Sequence, residues 1–172
     1  MMGVEIRLAD RLRDEERRQL FEWGEDLFGL GALKLRWRPK ELHFVVESAG
    51  RAVSHVGILR HAVAVGGRHV TVGGVGGVIT VGEAQGSGYA SLALERATAF
   101  MRDELDVEFG FLFCRDPLVP FYERHGWHLI AAPVTVEQGE DAPLVMPLNA
   151  MVLPFGGRRW PQGPVSLESL PW

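Results

Sequence analysis

The segment Thr80-Val81-Gly82-Glu83-Ala84-Gln85-Gly86-Ser87-Gly88-Tyr89-Ala90-Ser91 constrains the fold more than any other part of the chain. It leaves an apolar run, turns on small residues, and enters a segment with apolar residues at Tyr89, Ala93, Ala97, Phe100 and Met101, the spacing of one helix face. A strand that turns on glycines into a helix leaves unpaired backbone N–H groups at the positive end of the helix dipole. Small residues at 86, 88 and 90 let a ligand approach those groups, and the combination binds phosphate. The Lys-Ser/Thr of a P-loop and the G-x-G-x-x-G with a distant acid are both missing, so neither of those loops is read here.

A second segment stands downstream. Phe109-Gly110-Phe111-Leu112-Phe113-Cys114 reads as a continuous apolar strand, and Pro117 to His125 as a short helix closed by Gly126. The Gln85-x-x-Gly88-x-Ala90 turn resembles the pyrophosphate loop of the GCN5-related N-acetyltransferases. Pro120-Phe121-Tyr122-Glu123-Arg124-His125-Gly126-Trp127 is similar to the same family's FYxxxGF segment and follows the loop at the family's usual distance.

The resemblance implies an α/β (α+β) acyl-CoA N-acyltransferase fold, with a mixed, mostly antiparallel sheet of about six to seven strands and about four helices. It implies acetyl-CoA as co-substrate and no metal. Backbone atoms of Val78, Ile79 and Thr80 would hold the pantetheine arm, and Gln85, Gly86, Ser87, Gly88, Tyr89 and Ala90 the pyrophosphate. A bulge in the strand through Gly73, Gly74, Gly76 and Gly77 would turn a backbone N–H onto the thioester carbonyl. Tyr122 matches the family's general acid, and a phenol with an ordinary pKa near 10 is protonated at neutral pH. Dimers are common in the resembled family, so a homodimer is a further expectation.

Composition bounds the rest. With 172 residues, 47% of them hydrophobic, the chain suits one domain over 1–172 with 155–172 as a C-terminal tail. The lone Cys114 cannot form an internal disulfide, no 18-residue apolar run appears, and Met1 to Arg7 lacks a signal peptide's apolar region. These point to a cytoplasmic protein without a membrane partner. The net charge of −4 and the scattered arginines disfavour nucleic acid. His125 and His128 lack the Cys or carboxylate that would complete a metal site.

Elements follow from patterning. Val4 to Leu8, Glu41 to Glu47, Ala52 to His61 and His69 to Val81 read as strands, and Asp10 as the cap of a helix carrying Leu20, Phe21 and Trp23. Phe28 to Arg38 reads as irregular. Trp127 to Val136 and Leu144 to Leu153 read as a last antiparallel pair.

The resemblance implies an amine of a small molecule as acceptor, with an amino sugar, a polyamine or an amino acid derivative all open. Trp37, Trp160 and Trp172 could line its cleft, since flat aromatic faces suit a ring, or could seal the core. Arg51 to Arg60, Val65 to Arg68 and Val75 to Val78 are similar to aminoglycoside 2'-N-acetyltransferases. Met151 to Pro154 with Trp160 to Val165 is similar to the nodulation N-acyltransferase. Where the aminoglycoside group carries acids this chain has Gly76 and Pro164, which implies a less cationic acceptor, with Glu137, Glu140 and Asp141 as partial substitutes. His55, Glu47, Glu41 and Glu83 are base candidates by type, His55 also as an acceptor contact, and a water relay is equally compatible. A coenzyme-binding regulatory module without turnover is the reading from another class.

Overall fold

Runs of β-branched and aromatic residues place the strands, and their burial sets which faces are covered. The computed structural model describes residues 3–172; Met1 and Met2, on which part of the N-terminal reading rests, lie outside the described residues. One sheet contains β1 (Val4–Ala9), β2 (Leu42–Ser48), β3 (Arg51–Val65), β4 (Arg68–Thr80), β5 (Phe109–Cys114), β6 (His128–Leu129), β7 (Val134–Gln138), β8 (Asp141–Val145), β9 (Asn149–Pro154) and β10 (Val165–Ser166). The α-helices are α1 (Asp14–Phe21), α2 (Tyr89–Asp103) and α3 (Val119–Arg124). Only β4 with β5 and β10 with β7 pair in parallel among the described residues.

The mixed, mostly antiparallel sheet expected from the sequence is therefore present, with ten strands instead of about six to seven and three α-helices instead of about four. The surplus is partly short pieces, since β6 and β10 have two residues each. Residues 28–38 yield a single 3-10 turn at Gly31–Leu33, ended by a left-handed Lys34 with φ 52°. Asp10 does not cap α1: the helix begins at Asp14, where Glu16 Oε1 accepts from the Arg13 N–H at 2.9 Å.

The expected final antiparallel pair is present in two parts, β6 on β9 with His128↔Val152 and Leu129↔Met151, and β7 on β8 with Thr135↔Val145 and Val136↔Leu144. Gly139, with φ 68°, closes a tight turn so that β7 folds back on β8 with Gln138 opposite Asp141. On its other edge β9 runs along β5 from Phe109↔Pro154 to Cys114↔Asn149.

Two hydrophobic clusters cover the two faces of the sheet's centre. One gathers α2 and α3 around Ala93, Leu94, Ala97, Met101, Tyr122 and Trp127. The other gathers Phe109, Phe111, Val134, Val136, Leu167 and Trp172. The glycines of β4 make these contacts physically available. A Cβ at Gly73 would stand 2.4 Å from Met101 Sδ, and one at Gly74 would stand 2.4 Å from the Trp172 indole. Residues 155–172 are drawn into the second cluster, with Val165, Leu167 and Trp172 buried. Among the described residues no helix is long and apolar enough to cross a membrane.

Candidate active site

The two central strands part company halfway along. β4 and β5 pair from Val72↔Phe109 to Val75↔Leu112, after which β4 stays with β3 and β5 stays with β9. Between the parted edges opens a cleft of about 500 Å³, walled by Val75 to Val78 on one side and Phe113 to Arg115, Leu118 and Tyr122 on the other. Residues from the 26–40 segment and Trp172 complete its lining.

At the point of separation β4 carries one extra residue. The register runs from His55↔Ile79 to Gly57↔Gly76, two steps on β3 against three on β4, and Gly77 sits at φ 60°. The Gly77 carbonyl points at His55, accepting from its Nδ1–H at 2.6 Å. In a trans peptide the C=O and the following N–H point in opposite directions, so the Val78 N–H is aimed away from His55. His55 Nε2 then accepts from His43 Nδ1–H at 2.8 Å. Burial holds the His55 pKa down at about 3, which keeps the ring neutral and this tautomer fixed.

Tyr122 lines the same cleft from the other wall. It is 4% exposed, with its ring edge-on to Phe121 and Trp127 at 5.0 and 6.2 Å between centroids. Its backbone carbonyl accepts from the N–H groups of His125 and Trp127, which fixes the short helix behind it. Burial, and then the adjacent Cys114 thiol, push the phenol pKa above its ordinary range, so the hydroxyl holds its proton. Burial likewise lifts the Cys114 thiol to about 11 and makes it a poor nucleophile.

The glycine turn has the geometry of an anion cradle. Gly86 and Gly88 lie at φ 85° and 81°, with open space where a Cβ would stand. The first in-helix bond of α2 runs from Leu92 N–H to Gly88 O, which leaves the N–H groups of Tyr89, Ala90 and Ser91 without helical acceptors. Gln85 folds back, its Nε2 donating to Thr80 O at 3.1 Å. Val78 lines the cleft, whereas the Ile79 side chain is buried with Leu12, Leu20 and Val45, and Thr80 Oγ1 meets Ser54 Oγ at 2.9 Å.

Of the acceptor candidates, Trp37 and Gly76 line this cleft. His55 is not among its lining residues and is committed to the bulge. Trp160 lines a second cavity beside β6 and rests on Phe109 and Phe111. Glu47 pairs with Arg7 and Arg13, Glu41 accepts from the Arg60 N–H, and Glu83 pairs with Arg51 on the surface, so none of these bases faces the cleft. Asp141 pairs with Arg36, and Glu137 and Glu140 also lie outside the lining.

Gly76 has a packing reason beyond any missing charge. A Cβ there would stand 2.4 Å from Lys40 Cε and 2.8 Å from the backbone carbon of Trp172. A carboxylate cannot enter at that position without displacing backbone, and Pro164 lies away from the cleft with its carbonyl taken by the Gly66 N–H.

Sequence reasoning missed the cations. Lys34, Lys40 and Arg115 all line the cleft. Burial lowers the Lys40 pKa to about 8. Nothing local marks these three, because Lys34 and Lys40 lie in the irregular 26–40 segment and Arg115 in the turn that follows β5, and tertiary contacts orient both. The glycines at 57 and 76 are the trace the Lys40 stem leaves, since a Cβ at either would meet it at 2.4 Å.

A family model described as an acetyltransferase (GNAT) domain matches residues 14–130. None of the curated proteins compared with the chain matches it. Among solved structures, a GNAT family acetyltransferase from Brucella melitensis in complex with acetyl-CoA is 19% identical, with a TM-score of 0.57 over 95% of this chain and 96% of that one. The GNAT family N-acetyltransferase YhbS from Escherichia coli in complex with CoA is 16% identical, with a TM-score of 0.61 over 98% and 91%. A GCN5-related N-acetyltransferase from Kribbella flavida is longer: at 20% identity and a TM-score of 0.51, the match covers 73% of this chain and 33% of that one.

Proposed function

The chain belongs to the GNAT acetyltransferase family, and on that premise we propose that it transfers the acetyl group of acetyl-CoA to the primary amine of a small molecule, by direct attack within a ternary complex. The observation that carries this reading is that one cleft is lined by Val78, beside the β4 bulge, and by Tyr122, while β4 itself runs on from there to Thr80 and the glycine turn. The acetyl-CoA and CoA held by two of the similar structures support the choice of co-substrate. A cytoplasmic location rests on the lone, buried Cys114.

The residues fit such a ligand. The turn from Gln85 to Ala90 offers backbone donors to two phosphates, and the parted edge of β4 from Val78 to Thr80 offers amide groups to an extended arm. When bound, the thioester supplies an acyl carbon open to an amine. Val78 N–H, held in direction by the Gly77–His55 bond, serves the carbonyl oxygen as negative charge grows on it. As the N–C bond forms and the C–S bond breaks, the amine gives up one proton and the leaving sulfur takes one. Tyr122 is the group poised to deliver the latter.

Binding is tested apart from turnover. Acetyl-CoA at 100 times its Kd should raise unfolding stability by about 2.7 kcal/mol if only the folded state binds it. Gly88→Asp places a carboxylate where pyrophosphate is expected and forces a non-glycine residue to φ 81°, so the shift should vanish. A folded Gly88→Asp protein that keeps the full shift would move the phosphate site elsewhere.

A further inference from the structure

One side of the cleft carries charge that acetyl transfer to a plain amine does not use. The Lys40 stem crosses Gly57 and Gly76, and its Nζ donates to the Arg38 carbonyl at 3.2 Å. Lys34 and Arg115 line the same cleft, and no ion pair among the described residues includes any of the three cations. Asp26 is the one acidic side chain among the described lining residues, and its Oδ1 is spent on the N–H groups of Leu30 and Gly31 at 3.1 and 2.8 Å.

Such a lining repels a polycation. A half-buried ammonium with one carbonyl partner keeps donors unused, and a ligand anion is the group that satisfies them. Trp37, Phe113 and Trp172 bring flat apolar faces to the same space. We propose that the acceptor is an amine that also bears a carboxylate, on a frame with an apolar ring: Lys40 holds the carboxylate, and the aromatic side chains take the ring. The chemical class is that of an apolar amino acid or a close derivative. Lys34 and Arg115 add to the attraction from the rest of the lining and lower the affinity for aminoglycoside-like polyamines.

This inference rests on the acetyl-transfer reading, and its test separates the two. Phenylalanine and phenethylamine share a frame and differ by the carboxylate; kanamycin is the polycation. A charge-assisted hydrogen bond should make kcat/KM at least about tenfold higher for phenylalanine than for phenethylamine, with kanamycin below both. Titrating N-acetylphenylalanine and N-acetylphenethylamine into the CoA-loaded protein gives the same comparison by affinity. Lys40→Met should bring the ratio between the two amines to within about threefold, and Lys40→Arg should retain part of it. Equal or reversed preference in the unmodified protein, by rate and by product affinity, overturns the proposal. So does an equal loss of kcat for both amines in Lys40→Met, which would assign the lysine to proton transfer. Calorimetry with acetyl-CoA on the same samples tells the failures apart: bound coenzyme without a carboxylate preference sinks this inference alone, and absent coenzyme binding sinks both.

Discussion

Tyr122→Phe is expected to leave acetyl-CoA affinity within about twofold and to lower kcat by about 10²- to 10⁴-fold, the usual contribution of a positioned proton donor. The substitution removes one oxygen from a ring that is otherwise held by Phe121 and Trp127, so the packing of α3 against the sheet should survive. Because burial raises the phenol pKa, the donor stays protonated through the neutral range, and loss of activity at high pH should not come from this group below about pH 10. Unchanged kcat in the variant would assign Tyr122 to packing alone.

The second large effect is on stability and comes from behind the bulge. His55 titrates near its ordinary value of about 6.5 when unfolded and at about 3 when folded, because burial disfavours the charged ring. Between those values the unfolded chain binds the extra proton, so stability rises with pH and falls as pH drops from about 6.5 toward about 3. The slope from this one group is about 1.4 kcal/mol per pH unit, which amounts to several kcal/mol over the window. His43, whose pKa burial also lowers, acts in the same direction. Urea unfolding at pH 7, 5.5 and 4.5 measures the slope directly. His55→Leu should start less stable, since the Gly77 carbonyl loses its donor, and should lack the one-proton part of the slope. Equal slopes in the two proteins would show that His55 does not stay neutral in the fold.

What could be read from the sequence was whatever chemistry lay in a short contiguous stretch. The glycine turn is legible because Gly86 and Gly88 adopt left-handed backbone that few other residues tolerate, and α2 begins directly after them. The segment around Tyr122 is legible as a short helix end closed by Gly126, itself at φ 88°, while the role of the tyrosine comes only from the resemblance of 120–127 to the family's segment. The glycines of β4 announce themselves, yet their causes are remote in sequence. Gly73 admits Met101, Gly74 admits Trp172, and Gly76 admits the Lys40 stem and the Trp172 backbone. A single strand cannot tell these packing demands from the backbone demand at Gly77. Lys40 and Arg115 were illegible for the same reason, as exposed-looking cations in irregular segments that only the fold turns inward. His55 shows the converse: a residue type suited to catalysis, in a strand beside the cleft, whose ring packs edge-on to Phe21 and is bonded to the Gly77 carbonyl.

The central claim is that an amine takes the acetyl group of acetyl-CoA inside this cleft, and coupled product analysis tests it most directly. Purified protein is incubated with acetyl-CoA and a panel of amines, while free thiol is followed by absorbance and N-acetylated product by mass spectrometry. The account predicts one thiol released per amide formed, dependence on the amine, and loss of both signals in Tyr122→Phe. Acetyl-CoA that binds tightly yet releases no thiol with any amine would contradict it and leave a coenzyme-binding module without turnover.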